Sequence, residues 1–216
     1  MYNIGETALF KGIDAVETER LLHKIRAEIR CYRRDEIVLS EGDSSVLAGI
    51  VLEGAVQVIR EDWDGNRCII TSLEPGQLFG EALSCTGADC LPVTVMAAIP
   101  SNILLFDCNR LLCCNEQAAR IAVGNLVRII AKKNLLLRQK ITILSGRTTQ
   151  EKLMSYLRYE SERQGKIDFE IPFDRQQLAD YLGVERSAMS AEISKLARSG
   201  KIEVHRRNFR ILSAEK

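Results

Sequence analysis

DRQQLADYLGVERSAMSAEISKLARSGKIEVHRRNFRIL, residues 174–212, decides how this chain is read. Asp174 stands where a helix cap is needed, and Leu178, Ala179 and Leu182 follow at the spacing of one buried helix side. Gly183 then supplies a residue that tolerates positive φ, as a tight turn between two helices requires. A second helix from about Glu185 places Met189, Ile193, Leu196 and Ala197 inward, at i, i+4, i+7 and i+8. Its opposite face carries Arg186, Ser187, Ser190, Ala191, Ser194 and Arg198. That face is small, polar and basic. Small side chains let a helix backbone approach base edges, and an arginine can bond guanine with two hydrogen bonds. Beyond it, IEVHRRNFRIL reads as a two-stranded wing with His205, Arg206, Arg207 and Arg210 near its tip, suited to phosphate contact. Helix, glycine turn, small-faced helix and basic wing stand in the order of a winged helix-turn-helix. The expected partner is double-stranded DNA.

Upstream, the pattern changes twice. From about Asn115 to Ser145 the chain is helical without a proline, with Ile121, Leu126, Ile129, Ile130, Leu136, Leu137, Ile141 and Leu144 in an apolar stripe near heptad spacing. Arg120, Arg128, Lys132, Lys133, Arg138 and Lys140 fill the other faces. A helix this long needs cover along its length, either from a second copy of the chain as a homodimer seam, the expected reading, or from the chain's own core as a long intramolecular helix. A further helix from Thr149 to about Arg163 and a short strand in IDFEIPF join this segment to the reading head.

The front of the chain opens with a helix whose Asp14 and Glu17 have capping-box spacing and whose Leu21, Leu22, Ile25 and Ile29 fall on one face. Short Val/Ile-rich runs follow: EIVLS, VLAGIVLEG, AVQVIRED, RCIITSL, VTVMAAI and SNILLFD. Turn signals at 41–43, 53–54, 64–66, 74–76 and 100–102 cut them apart. Repeated short strands with glycine turns predict an antiparallel sandwich or barrel. FGEALSCTGADCLPV, residues 79–93, falls between two of these strands, which makes it a connection and not core.

Charge follows the same division. The net charge of +1 splits into 10 basic and 17 acidic residues over 1–114, 6 and 1 over 115–146, and 14 and 11 over 147–216. A polyanion meets the basic back half. The seven cysteines form no C-x-x-C pair. The start, MYNIGETALFKG, lacks the basic-then-apolar layout of a secretion signal, and no apolar run approaches a membrane span. Reduced thiols, a cytoplasmic location and no membrane association are expected. There is no Walker loop, H-E-x-x-H or G-x-S-x-G, and two isolated histidines offer little for acid-base chemistry. No catalytic or metal site is assigned. The rival to a DNA reader is a ligand-binding module without a DNA role, which has no salt-dependent affinity for DNA.

EGDSSVLAGIVLEGAVQVI (41–59), EPGQLFGEAL (74–83), the long helix and DRQQLADYLGVERSAMSAEISKL (174–196) together resemble the cyclic-AMP receptor / fumarate-nitrate regulator family of bacterial transcription factors. The resemblance implies an α+β chain: an antiparallel β-roll of the cyclic-nucleotide-binding type over 1–114, a dimerising helix over 115–146, and a winged helix-turn-helix over 147–216. It implies a homodimer on palindromic DNA, controlled by a small-molecule effector at the β-roll and working with RNA polymerase. It places Arg186, Ser187 and Ser190 at the DNA. Ala191 departs from the many relatives that carry an arginine there.

In the family's cyclic-nucleotide binders a Gly-Glu pair opens a loop that an Arg-Ser pair closes, the arginine neutralising the phosphate. Here Gly80, Glu81 and Ala82 open the loop, but Leu91 and Pro92 close it. Burying a phosphate without a cation is expensive, which argues against cyclic AMP or GMP and leaves the effector unidentified. An iron-sulphur cluster on Cys85, Cys90, Cys108 and Cys113 has no supporting spacing. Haem finds only His23 and His205 as axial ligands. A thiol switch remains an alternative, through Cys85 and Cys90 around the TGAD turn or through Cys113 and Cys114 before the long helix.

Overall fold

The computed structural model describes residues 4–44, 47–61, 67–87 and 90–212. The chain forms two compact units, Met1–Lys132 and Lys133–Lys216.

The first unit begins with a 3-10 turn, Ile4–Glu6, and helix α1, Ala15–Lys24. Asp14 caps α1 by accepting from the Glu17 N–H at 2.9 Å. The helix is shorter than its apolar spacing predicts. Ile25 is its C-cap, Arg26 turns to a positive φ of 53°, and Ile29 leaves the helix face altogether. It lies exposed on strand β1, Glu28–Tyr32, which the sequence reading did not foresee. Ladder hydrogen bonds to a strand more than seventy residues on draw these residues out of the helix, and no local pattern reports them.

Seven further strands follow: β2 (Ile37–Leu39), β3 (Ala48–Glu53), β4 (Val56–Glu61), β5 (Arg67–Leu73), β6 (Leu78–Phe79), β7 (Thr94–Ala97) and β8 (Ser101–Phe106). All pairings are antiparallel, in two sheets of order β1-β8-β3-β6 and β2-β7-β4-β5. The turn read at 64–66 lies outside the described residues. Alternation along β3 and β8 explains why their runs are apolar throughout. Val51, Ile103 and Leu105 point into the core between the sheets, with Val38, Val56, Phe79 and Val95. Ala48, Ile50, Leu52, Leu104 and Phe106 point the other way, against α1 and the helices that follow β8.

Those helices are α3, Cys108–Cys113, and the long α4, Gln117–Leu144; a shorter α2, Glu81–Thr86, precedes β7. The stripe read along α4 divides. Ala118, Ala119, Ala122 and Leu126 are buried in the first unit, with Ile129 and Ile130 packed on the same core. Past Leu126, Val127, Leu135, Leu136, Leu137 and Ile141 are exposed. Ile143, outside the predicted stripe, is the residue that the second unit buries.

The second unit adds α5 (Thr149–Gln164), β9 (Asp168–Glu170), α6 (Arg175–Leu182), α7 (Arg186–Arg198), β10 (Ile202–His205) and β11 (Asn208–Ile211). Its three strands form one antiparallel sheet, β10-β11-β9. Leu153, Tyr156, Leu157, Leu178, Leu182, Met189, Ile193 and Phe209 make its core.

Candidate nucleic-acid interface

The turn between α6 and α7 is built from local chemistry. Asp174 Oδ1 accepts from the Gln177 N–H at 2.8 Å, and Gln177 Oε1 accepts from the Asp174 N–H at 3.0 Å, a reciprocal capping box. Gly183 ends α6 at φ 61°, and the next N–H, of Val184, donates back to the Ala179 carbonyl at 3.1 Å. That closure satisfies the last carbonyls of α6 within three residues and lets α7 begin at Arg186. Met189, Ile193 and Leu196 are buried as predicted, while Ala197 is half-buried beside them.

The outer face of α7 presents Arg186, Ser187, Ala191, Ser194 and Arg198 to solvent, with Ser190 half-buried. These groups are not equally available. The Ser194 hydroxyl donates to the Ser190 carbonyl at 3.0 Å, and Arg198 Nε donates to the Ser194 carbonyl at 3.3 Å. Glu192, on the flank, pairs with Lys195 at 3.3 Å. Arg186 makes no hydrogen bond or ion pair among the described residues, so its planar fork is open to a ligand.

The wing turns at Arg206, φ 56°, between β10 and β11. Arg206 and Arg207 stand exposed at its tip, with His205 beside them. Arg210 is different. It sits opposite Glu203 within the sheet and donates to Asp168 at 2.8 Å and Glu203 at 3.2 Å. Two carboxylates hold its guanidinium against β9 and β10, so it is an anchor of the wing and not part of the tip.

Sequence reasoning missed an aromatic cluster behind this head. The rings of Tyr156, Phe173 and Tyr181 lie within 6.0 Å of one another, centroid to centroid. Lys140, near the end of α4, places its Nζ 5.2 Å from the Tyr181 centroid. The Tyr156 hydroxyl is buried without a hydrogen-bond partner, and burial holds its pKa above the usual phenol value. The hint in the sequence was three aromatic residues on separate elements, which no periodicity connects.

The loop read as an effector site is structured. β6 runs into Gly80, at φ 72°, where an added Cβ would stand 2.6 Å from the Leu47 carbonyl oxygen. Glu81 then opens α2. Glu81, Ser84 and Leu91 are buried, Ala82 and Pro92 exposed. The expectation that this stretch is only a connection is therefore corrected: Phe79 and Leu91 belong to the core between the two sheets. Leu91 is held there by its backbone, donating to the Asp43 carbonyl at 3.2 Å and accepting from the Gly42 N–H at 2.9 Å. The second half of the TGAD turn, residues 88–89, lies outside the described residues.

Six cysteines, Cys31, Cys85, Cys90, Cys108, Cys113 and Cys114, are free thiols. Cys31, Cys90 and Cys113 are exposed, Cys85 and Cys114 half-buried, and Cys108 buried. Cys108, on the first turn of α3, lies close enough to Cys85 for the two thiols to perturb each other's ionisation. Among the described residues no three His, Cys, Asp or Glu side chains are grouped to hold a metal ion, and no helix is long and apolar enough to cross a membrane.

With this geometry in hand, comparison with known proteins is specific. Residues 29–113 match the cyclic nucleotide-binding domain family, and residues 151–216 match the Crp-like helix-turn-helix domain. The chain is 28% identical to the nitrogen fixation regulation protein FixK of Bradyrhizobium diazoefficiens, over 93% of this chain and 84% of that protein. It is 26% identical to the transcriptional activator protein FnrL of Cereibacter sphaeroides, over 80% and 71%. A CRP-like cAMP-activated global transcriptional regulator of Mycobacterium tuberculosis is 21% identical over 99% and 96%. Among solved structures, a CooA variant from Carboxydothermus hydrogenoformans shares the fold at TM-score 0.56, with 18% identity over 94% of this chain and 88% of that one. The c-di-GMP responsive regulator CLP of Xanthomonas campestris does so at 0.55, with 18% identity over 93% and 100%.

Proposed function

From a chain that belongs to the cyclic-AMP receptor / fumarate-nitrate regulator (CRP/FNR) family of bacterial transcription regulators, we infer a homodimer that reads two-fold symmetric DNA under a signal other than a cyclic nucleotide. The chain is a DNA-binding regulator and not an enzyme, as its relatives are.

The observation that carries it is the uncovered part of α4. Val127, Asn134, Leu137 and Ile141 are exposed there, and with the half-buried Ile130 and Leu144 they recur at alternating spacings of three and four, the seam of a two-stranded coiled coil. Val127, Leu137 and Ile141 are each 60% exposed or more. Covering a large aliphatic side chain contributes about 1.5–3 kcal/mol, so several per protomer favour a stable dimer. Asn134 is the one polar position in the row, the device by which such seams fix register.

Two α7 helices on one dimer engage two major-groove half-sites about one helical turn apart. Arg186 reads a guanine, Ser187 and Ser190 meet neighbouring base edges or phosphates, and Arg206 and Arg207 meet the backbone. Ser194 and Arg198 take part through phosphates when they leave their helix carbonyls. At the other end, Leu91 in the core offers no cation to a cyclic phosphate. Gly80, Glu81 and Ala82 keep the loop's opening for an effector of different chemistry. That effector acts by binding one arrangement of the dimer more tightly than another. RNA polymerase is the expected protein partner, in the cytoplasm.

Sedimentation of the chain and of its Leu137→Glu variant tests the assembly. The account expects a dimer that the variant splits, with loss of palindrome binding. A monomeric wild-type chain that binds DNA equally well overturns it.

A further inference from the structure

Two thiols meet in the first unit where the spacing of the sequence gives no sign of a pair. Cys85 lies on α2, and Cys108 is the first residue of α3; the two short helices pack together. The two thiols lie close enough for each to perturb the other's ionisation. The backbone fixes the same approach, because the Cys108 N–H donates to Ser84 Oγ at 3.2 Å. Both side chains rest on the core that α1, β3, β8 and α4 share. One thiol is half-buried and the other fully enclosed.

We propose that Cys85 and Cys108 form a redox modification site, at which a hydroperoxide converts the thiol pair to a disulfide that ties α2 to α3. Exposure assigns the roles. Cys85, the one within reach of solvent, loses its proton and attacks the peroxide; the O–O bond breaks, Cys85 becomes a sulfenic acid, and the first water leaves. The Cys108 sulfur then attacks the Cys85 sulfur, its proton departs with the hydroxyl group as a second water, and the S–S bond forms. Two thiols lose two electrons, and one hydroperoxide is reduced to two waters (or to one water and an alcohol).

The surroundings set the pace. Burial pushes the Cys108 thiol up to about 12 and raises Cys85 as well, and the nearby Glu81 carboxylate acts in the same direction on both. The thiolate is the reacting form, so the pair is slow at neutral pH and quickens as pH rises. The site answers sustained oxidation and not a brief pulse. Its consequence is local and specific. α2 carries the buried Glu81 that opens the effector loop, and α3 stands three residues before α4. The disulfide fixes the effector helix to the segment that leads into the proposed dimer seam.

The test is a disulfide map of the full reduced chain after exposure to hydrogen peroxide, with free thiols alkylated and peptides separated without reduction. The expected product joins the Cys85 peptide to the Cys108 peptide, forming roughly tenfold faster at pH 8 than at pH 7. It disappears in Cys85→Ser and in Cys108→Ser and persists in Cys90→Ser. The wild-type map needs no variant to fold, and Cys31, Cys90 and Cys113 report that the oxidant acted. If those exposed thiols are oxidised while Cys85 and Cys108 remain fully alkylatable after unfolding, the proposal fails. It fails equally if Cys85 is found joined to Cys90.

Discussion

Gly183 and Gly80 do similar work in the two units of the chain, and their surroundings differ completely. Each holds left-handed backbone beside a helix, at φ 61° and 72°. Around Gly183 an added Cβ meets nothing within 4 Å, whereas at Gly80 it meets the Leu47 carbonyl oxygen at 2.6 Å. The reading head turns in open space under rules written in its own few residues. The loop at Gly80 turns against the backbone that leads into β3, and its shape is decided by that contact.

Five substitutions bear on this contrast, and the largest effect belongs to the loop. Leu91→Arg restores the residue type that cyclic-nucleotide binders use, but Leu91 is 2% exposed in the core between the sheets. An unpaired charge there costs about 3–5 kcal/mol, so denaturant unfolding should move to much lower concentration and cyclic AMP should not raise the melting temperature. A stable variant that cyclic AMP stabilises would place residue 91 at a pocket and erase the contrast. Gly80→Ala comes next. Left-handed strain of 1–2 kcal/mol adds to the overlap with Leu47, for a loss of about 2–4 kcal/mol. Gly183→Ala meets the strain alone and should lose only about 1–2 kcal/mol in the same unfolding experiment. Equal losses at the two glycines would show that the carbonyl at Gly80 gives way.

Ala191→Arg moves specificity more than stability. The side chain is exposed on the face that carries Arg186, so the variant should gain a preference for an additional guanine in each half-site, worth about 1–3 kcal/mol. Site selection with the two proteins side by side reads this directly, and identical site preferences would remove residue 191 from the base-reading face. The smallest effect is Asp174→Ala, which removes one half of the capping box and costs about 1 kcal/mol by denaturant titration. A neutral result would mean that packing of Leu178 and Leu182 alone fixes the start of α6.

The same contrast explains what could be read without coordinates. Asp174, Gln177, Gly183 and the Met189–Ile193–Leu196 spacing interact within a turn or two of helix, so the sequence displays each relation as a short spacing. The winged head was legible almost residue by residue. Arg210 was the exception, because its partners Asp168 and Glu203 lie on two other strands. In the first unit, most strands were legible as Val/Ile runs, but β1 and the two-residue β6 were not, since EIRCY becomes a strand only by pairing with β8 and Leu78–Phe79 only by pairing with β3. Leu91 read as a loop residue because Gly42 and Asp43, which hold it inward, are nearly fifty positions away. The Cys85–Cys108 contact is invisible for the same reason. The closer pair, Cys85 and Cys90, drew attention by spacing alone.

Selection of binding sites from random duplex DNA, with purified full-length protein and no nucleotide added, tests the central claim most directly. The account predicts enrichment of a two-fold symmetric site whose half-sites lie about one helical turn apart, with affinity that falls steeply as salt rises. Enrichment only of asymmetric single half-sites, or of a palindrome that appears only when cyclic AMP is supplied, would contradict it.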